Sequence, residues 1–406
     1  MPAVCSLDDD PLPPMPAIFD FVTNRLAERR EEREHSWFRW RGRTYRCHCG
    51  SPVFFNNSFC LGCHATLGYV PELQEIRSFG PGAAPGEWMV ADRPGQARPP
   101  AGERVWRRCG NFESPAGCNW MVSSCFPGAL CTACRLNRTI PDLSVPANAG
   151  HWSKIEGAKR RLIAQLLELG LPVRSKGDDP WSGLAFDFLA TQPWQPRVLT
   201  GHTGGLITLN IEEADEAVRE RIRAQMNEPY RTLLGHLRHE IGHYYWDRMI
   251  APSPWLAPFR RVFGDERVDY AAALRQNYAF TPAPDWSLRH VTAYASVHPW
   301  EDWAETWAHY LHIVDTLTTA LGFGLGGNEV DFQAAPFTRE ALHDPCHPGG
   351  DAFLALVNSW VELTAVLNEL TRSMGQRDLY PFVLSTTAVA KLHFVHLVVT
   401  GAGGPA

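Results

Sequence analysis

Long unbroken apolar runs are scarce in this chain. The most apolar run, Tyr380 to Thr400, is interrupted by Lys391, His393 and His396, so it reads as a buried helix and no membrane contact is expected. The opening MPAVCSLDDDPLPP has no basic start and no apolar segment, which argues against a secretory signal. Positive charge is not in excess either. A formal charge of -6 and a pI near 6.2 disfavour a bulk nucleic-acid or membrane-surface binder, leaving room only for a local basic patch. There is no internal repeat beyond two cysteine clusters. What remains is a 406-residue chain, 45% hydrophobic, able to fill two or three globular units.

Cysteine is plentiful, with eleven residues. In a chain without a secretory signal they point to metal binding rather than disulfides, and to a reducing cytoplasm. YRCHCGSPVFFNNSFCLGCHATLGY places Cys47 and Cys49 in one knuckle and Cys60 and Cys63 in another, the pattern of a four-cysteine zinc ribbon. Its first pair is CxC rather than CxxC, so His48 and His64 stay open as alternative ligands. Cys109, Cys118, Cys131 and Cys134 form a second set, with Cys125 as an alternative to Cys118; Cys5 and Cys346 have no evident partner. A site closed by four thiolates stabilises a fold but has no free position for chemistry. The expected use of these ribbons is structure and docking of a protein substrate or partner. The acidic balance disfavours nucleic acid, and Phe54, Phe55, Phe59 and Tyr69 read as ribbon core.

The organisation divides into three parts. Residues 1–44 are a charged extension in which arginines, Arg43 among them, alternate with glutamates along an exposed helix. Residues 45–150 hold the cysteine clusters, separated by a Pro/Gly-rich connection from Gly80 to Gly102. From 151 to 406 the pattern becomes mostly helical. SKIEGAKRRLIAQLLELG offers a Ser/Glu capping box at Ser153 and a glycine stop at Gly170. Strands are expected at Leu184–Leu189 and Leu206–Asn210. Helices are expected at Glu212–Gln225, Pro229–Met249, Pro258–Arg275, Pro299–Leu321, Ala352–Ser373 and Pro381–Val399. The fold class is α+β: a mostly helical domain with a small sheet, preceded by small zinc-ribbon modules.

The sharpest chemical signal is HEIGH, His239 to His243. On a helix, histidines four residues apart share one face and can chelate a single ion, with Glu240 beside the activated water. Alone, the pattern also fits the polar face of an ordinary helix. Leu233, Leu234, Leu237, Ile241 and Tyr244 mark the opposite, apolar face, and Gly242 permits another backbone to come close. A hydrolytic zinc needs a third protein ligand and an open position. Glu301 is the candidate, on a helix that Pro299 can start and that Trp300, Trp303, Trp307 and Leu311 can anchor. Glu305, one turn on, can accept a hydrogen bond from the free ring nitrogen of a ligating histidine; the competing reading makes both acids exposed helix charges. His202, His236, His290, His298, His309 and His312 read as satisfied polar residues, with His298 and His309 worth testing. The strand LITLN, Leu206–Asn210, offers an edge for an extended peptide or else lies inside its sheet.

HExxH followed downstream by ExxxE resembles the gluzincin peptidases, in which the first downstream acid ligates zinc and the second supports a histidine. The resemblance implies those roles for Glu301 and Glu305. In the lethal-factor branch a tyrosine seven residues before the glutamate ligand stabilises the oxyanion, which implies that role for Tyr294. RHEIGHYYWD, AYASVHPWEDWAETWAHYLH, CRLNRTIPDLS, AKRRL and GHTGGLITLN are more closely similar to a bacterial family of zinc-binding metallopeptidases with an N-terminal zinc ribbon. The similarity runs from about residue 45 nearly to the C-terminus. The expected function is zinc-dependent peptide-bond hydrolysis, weakly favouring an endopeptidase, with Glu240 as general base, one catalytic zinc and one or two structural zincs. Two rivals stand beside it: a catalytically silent zinc scaffold, and a nucleic-acid-associated protein that recruits partners through the ribbon.

Overall fold

The computed structural model describes residues 43–91, 105–191, 194, 196–225, 231–279, 283–325 and 334–402. The helix expected in the charged extension lies outside these residues. Its last arginine does not, and Arg43 is no solvated charge: it is buried and ion-paired with Glu168 at 2.8 Å and Asp315 at 2.7 Å.

The cysteine-rich part is all β. Strands β1 (Tyr45–Arg46) and β2 (Pro52–Val53) pair antiparallel around the first knuckle. There Cys47 N–H donates to Ser51 O and Gly50, at φ 91°, closes the turn. Next come β3 (Thr66–Val70), β4 (Glu75–Pro81), β5 (Trp88–Val90), β6 (Trp106–Arg108) and β7 (Met121–Ser123), one antiparallel sheet in chain order. The Gly80–Gly102 stretch is therefore not simply a connection: Gly80 and Pro81 end β4 and Trp88–Val90 form β5, so the sheet runs from one cysteine cluster to the other. Of its described Pro and Gly residues, Gly80 and Pro81 close β4 and Gly82, Pro85 and Gly86 lie in the turn before β5, where a missing N–H or a positive φ is tolerated. Phe55, Tyr69 and Trp120 pack as the centre, with Tyr69 and Trp120 ring centroids 4.6 Å apart. Phe54 and Phe59, expected in that core, are exposed.

Helix α1 (Pro146–Glu168) begins seven residues before the capping box at Ser153, because Pro146 occupies its first position after an extended Val145. It stops as expected: Gly170, at φ 68°, donates to Leu167 O while Leu171 donates to Leu166 O, a Schellman closure. A four-stranded sheet follows, ordered β10 (Gly201–Thr203), β11 (Leu206–Asn210), β9 (Ala185–Leu189) and β8 (Asn137–Thr139), in which β11–β9 and β9–β8 are parallel and β10–β11 antiparallel. LITLN is thus an internal strand, and the edge beside it belongs to GHT, with β8 at the other end of the sheet. The core runs unbroken from Cys60 and Trp120 in the ribbon part through Leu166 to Trp307.

Most expected helices form with shifted ends: α2 (Glu216–Gln225), α3 (Leu233–Tyr245), α6 (Pro299–Gly322), α7 (Gly350–Ser373) and α8 (Thr386–Ala402). The Pro229 start lies outside the described residues; α3 is capped by Thr232, whose hydroxyl accepts from Gly235 N–H at 3.0 Å. The single helix expected over Pro258–Arg275 is two, α4 (Leu256–Phe263) and α5 (Tyr270–Ala279), divided at Gly264, whose φ of 106° no helix continues. By length and apolarity α7 could cross a membrane, yet Phe353, Leu356, Val357 and Trp360 are buried within the protein core.

Candidate metal centre

Helices α3 and α6 cross at Gly242. A β-carbon there would lie 3.1 Å from Ala304 Cα and 3.2 Å from Trp307, and Trp303 Nε1 donates to Gly242 O at 2.9 Å. The close approach expected of this glycine is therefore with α6. Arg238, beside the first histidine, adds a second clamp by donating to Asp315 of α6 at 2.6 Å. Gly242→Ala is expected to push the helices apart, costing about 1–3 kcal/mol and lowering zinc retention. Thermal melting with metal analysis checks this; an unchanged melt with full metal would show that the crossing yields freely.

The crossing brings three ligand atoms together. His239 Nε2 and His243 Nε2 are 3.1 Å apart, and Glu301 Oε2 lies 3.0 Å from the first and 3.5 Å from the second. Donors in a tetrahedral zinc shell stand about 3.3 Å apart, so the three atoms outline one face of such a shell. Glu301 is 1% exposed and its Oε2 accepts no hydrogen bond, which rules out the exposed-charge reading and marks an oxygen that wants a cation. Burial opposes its charge, but the adjoining imidazoles hold its carboxyl well below the ordinary range.

Surrounding groups orient the ligands. His239 Nδ1 pairs with Glu305 Oε1 at 2.6 Å, and Thr292 Oγ1 donates to Glu305 Oε2 at 2.7 Å. Both Glu305 oxygens are thus engaged, an arrangement able to orient a ligating histidine. Glu305→Gln is expected to weaken zinc binding about 10–100-fold, read by chelator competition; an unaltered affinity would mean that packing alone orients His239.

Glu240 is buried on the same helix, with Oε2 free of hydrogen bonds and Oε1 3.3 Å from His236 Nε2. His236 Nδ1 in turn meets Glu213 Oε2 at 2.7 Å. Burial lowers the basicity of His236, but the two flanking carboxylates outweigh it and raise the group to about 9. Read from sequence as one polar residue among six, His236 instead braces the proposed base; its i, i+4 spacing to Glu240 was the available signal. Tyr270 was missed altogether. Its hydroxyl donates to Glu301 Oε1 at 2.6 Å, turning the other oxygen toward the histidines, and no local spacing links positions 270 and 301. Tyr294 lies on the cleft wall with its ring centroid 5.9 Å from that of His239. Trp300, expected to pack inward, lines the cleft and packs against His243, the two rings tilted by 35° with centroids 3.8 Å apart.

Of the other histidines, His298 caps α6 by accepting from Trp300 N–H at 3.1 Å, and His309 pairs with the Tyr380 hydroxyl at 2.7 Å. Neither joins the ligand cluster. His202, on the edge strand β10, accepts from Gly205 N–H and stands 6.4 Å from His243, ring to ring. The site opens into a cleft of about 630 Å³.

Both cysteine tetrads converge. Cys47, Cys49, Cys60 and Cys63 have sulfurs within 4.8 Å of one another, and so do Cys109, Cys118, Cys131 and Cys134. Neighbouring sulfurs at 3.5 Å (Cys47–Cys63), 3.7 Å (Cys49–Cys60) and 3.7 Å (Cys118–Cys131) match the roughly 3.8 Å edge of a zinc–thiolate tetrahedron. Cys125 is exposed and lies outside the second tetrad; His48 touches Cys47 and Cys63 at 3.7 and 3.9 Å without being needed for a fourth donor.

Residues 148–398 match the family described as "Putative zinc-binding metallo-peptidase", and residues 44–145 match a zinc-ribbon domain. The chain is 42% identical over 359 residues to the uncharacterized protein Rv2568c of Mycobacterium tuberculosis (strain ATCC 25618 / H37Rv), covering 88% of this chain and 95% of the relative. The uncharacterized protein Mb2598c of Mycobacterium bovis matches to the same extent. No solved structure matches the chain.

Proposed function

Given that the chain belongs to the zinc-binding metallo-peptidase family, we propose that it hydrolyses peptide bonds at the His239, His243 and Glu301 centre. The observation that carries this reading is the pairing of three converging ligand atoms with a buried carboxylate, Glu240, that has one oxygen free and faces the same cleft. A zinc ion bound there would supply Lewis acidity for activating water and polarising a carbonyl. Glu240 Oε2 would take the proton from that water and deliver it to the leaving amine, while His236 holds Oε1 still. The Tyr294 hydroxyl would donate to the developing oxyanion from the cleft wall beside His239. Tyr270 and Glu305 would keep the ligands in place.

The edge strand β10 lies along the cleft, with Thr200, Gly201 and His202 on its wall. An extended substrate can pair with that edge and pass its scissile bond over the metal, a role that one of the two sequence readings gave to LITLN. The cysteine tetrads, closed by four thiolates each, would hold two structural zincs. Exposed Phe54, Phe59 and Leu61 beside the first of them give the ribbon an apolar face suited to a protein substrate or partner rather than to nucleic acid. The test is incubation of the zinc-loaded chain with a mixed peptide library and mass-spectrometric detection of new termini. Cleavage that a chelator stops and zinc restores is expected; a fully metallated protein that cuts nothing would leave the silent-scaffold reading.

A further inference from the structure

The cleft continues past the metal ligands along one face of α6. Glu301, Glu305, Ala308, His309 and His312 all line it, a stripe about 16 Å long at 1.5 Å per residue. Its first half is acidic and its second half is not. Beyond Glu305 the wall is Ala308 with two imidazoles, and the segment between α7 and α8 supplies Tyr380 and Phe382 opposite. The rings interlock: His309 and Phe382 centroids are 4.6 Å apart, Tyr380 and Phe382 5.1 Å, His312 and Tyr380 5.7 Å. Asn368 holds the Tyr380 backbone from both sides, donating to its carbonyl at 2.9 Å and accepting from its N–H at 3.0 Å, so the box is built rather than incidental. Burial depresses the imidazoles of His309 and His312 to about 4 and about 3, leaving both neutral near pH 7. The nearby Glu305 has both oxygens engaged, and Arg238, 3.3 Å from His312, is paired with Asp315.

From this geometry we infer that the recess walled by Ala308, His309, His312, Tyr380 and Phe382 is a subsite for a bulky apolar or aromatic side chain flanking the scissile bond. The inference rests on the peptidase reading for its substrate class. An aromatic ring gains area burial and ring-edge contacts there, whereas a charged side chain would lose its hydration and meet only charges already paired, Glu305 with His239 and Arg238 with Asp315. Ala308 sets the depth, being the one wall residue whose side chain stops at Cβ.

Two peptidic hydroxamates, identical except for a benzyl or a methyl side chain, test this by calorimetry on the zinc-loaded full chain. The benzyl compound is expected to bind about tenfold tighter or more. Ala308→Phe should abolish that preference while leaving the methyl compound within about twofold, with zinc content and melting recorded as folding controls. Phe382→Ala, at a half-buried position, is the second variant and should reduce the preference. Equal affinities in the wild type, or a preference that survives both substitutions, would overturn the subsite. Hydroxamate binding needs no turnover. A benzyl preference without any peptide cleavage would keep the subsite and remove the peptidase reading, and cleavage without the preference would do the reverse.

Discussion

Glu240→Gln is expected to lower peptide turnover about 10²–10⁴-fold while every zinc equivalent stays bound. The amide keeps the size of the carboxylate and its contact with His236, 3.3 Å away in the wild type, but it cannot accept a proton at neutral pH. Glu240 touches none of the three converging ligand atoms, so metal content and melting temperature should not move. The Oε2 atom is buried and makes no hydrogen bond, so the amide breaks no existing contact on that side. The kinetic signature is a loss in kcat with KM little changed, since the missing group acts on the reacting water rather than on the peptide. Retained turnover at equal zinc would take the role of base away from Glu240.

Glu301→Ala should remove one zinc equivalent of three and leave the two held by thiolates. Two histidines alone make a weak, half-formed shell, and the substitution also strands the Tyr270 hydroxyl, which donates to Glu301 at 2.6 Å in the wild type. Elemental analysis reads the result directly, and turnover should vanish with the metal. Loss of all three equivalents would mean global unfolding rather than loss of a ligand. Glu301→Gln, which keeps the shape and the Tyr270 contact but forfeits the charge, separates the two. Three equivalents in both variants would place the third ligand elsewhere.

The parts of this site legible in the sequence are those set by short spacing. Histidines four apart on a helix must share a face, an acid after Pro299 must sit in the first turn of the next helix, and paired cysteines in glycine-containing knuckles must close on one another. The parts that were not legible depend on which distant segments meet. Arg43 reads as one more charge in a charged run, and only the fold brings Glu168 and Asp315 around it. Tyr270 reaches Glu301 because Gly264 breaks the helix expected over Pro258–Arg275 and frees α5 to turn back toward the cleft. LITLN is legible as a strand from its five residues of apolar alternation, but its place at the edge or inside the sheet is not. The three-residue GHT announces no strand, yet it pairs outside LITLN and takes the edge. Trp300 was counted as core by its apolarity, although its place in the first turn of α6 puts it over His243.

The central claim is an open zinc site held by two histidines and one glutamate. Anomalous diffraction at the zinc edge, from crystals of the wild-type chain, tests it most directly. The account predicts three peaks, one of them about 2.0–2.2 Å from His239 Nε2, His243 Nε2 and a Glu301 oxygen, with the fourth position facing the cleft and free of protein atoms. Peaks only at the two cysteine tetrads, or a third peak closed by a fourth protein ligand, would contradict it.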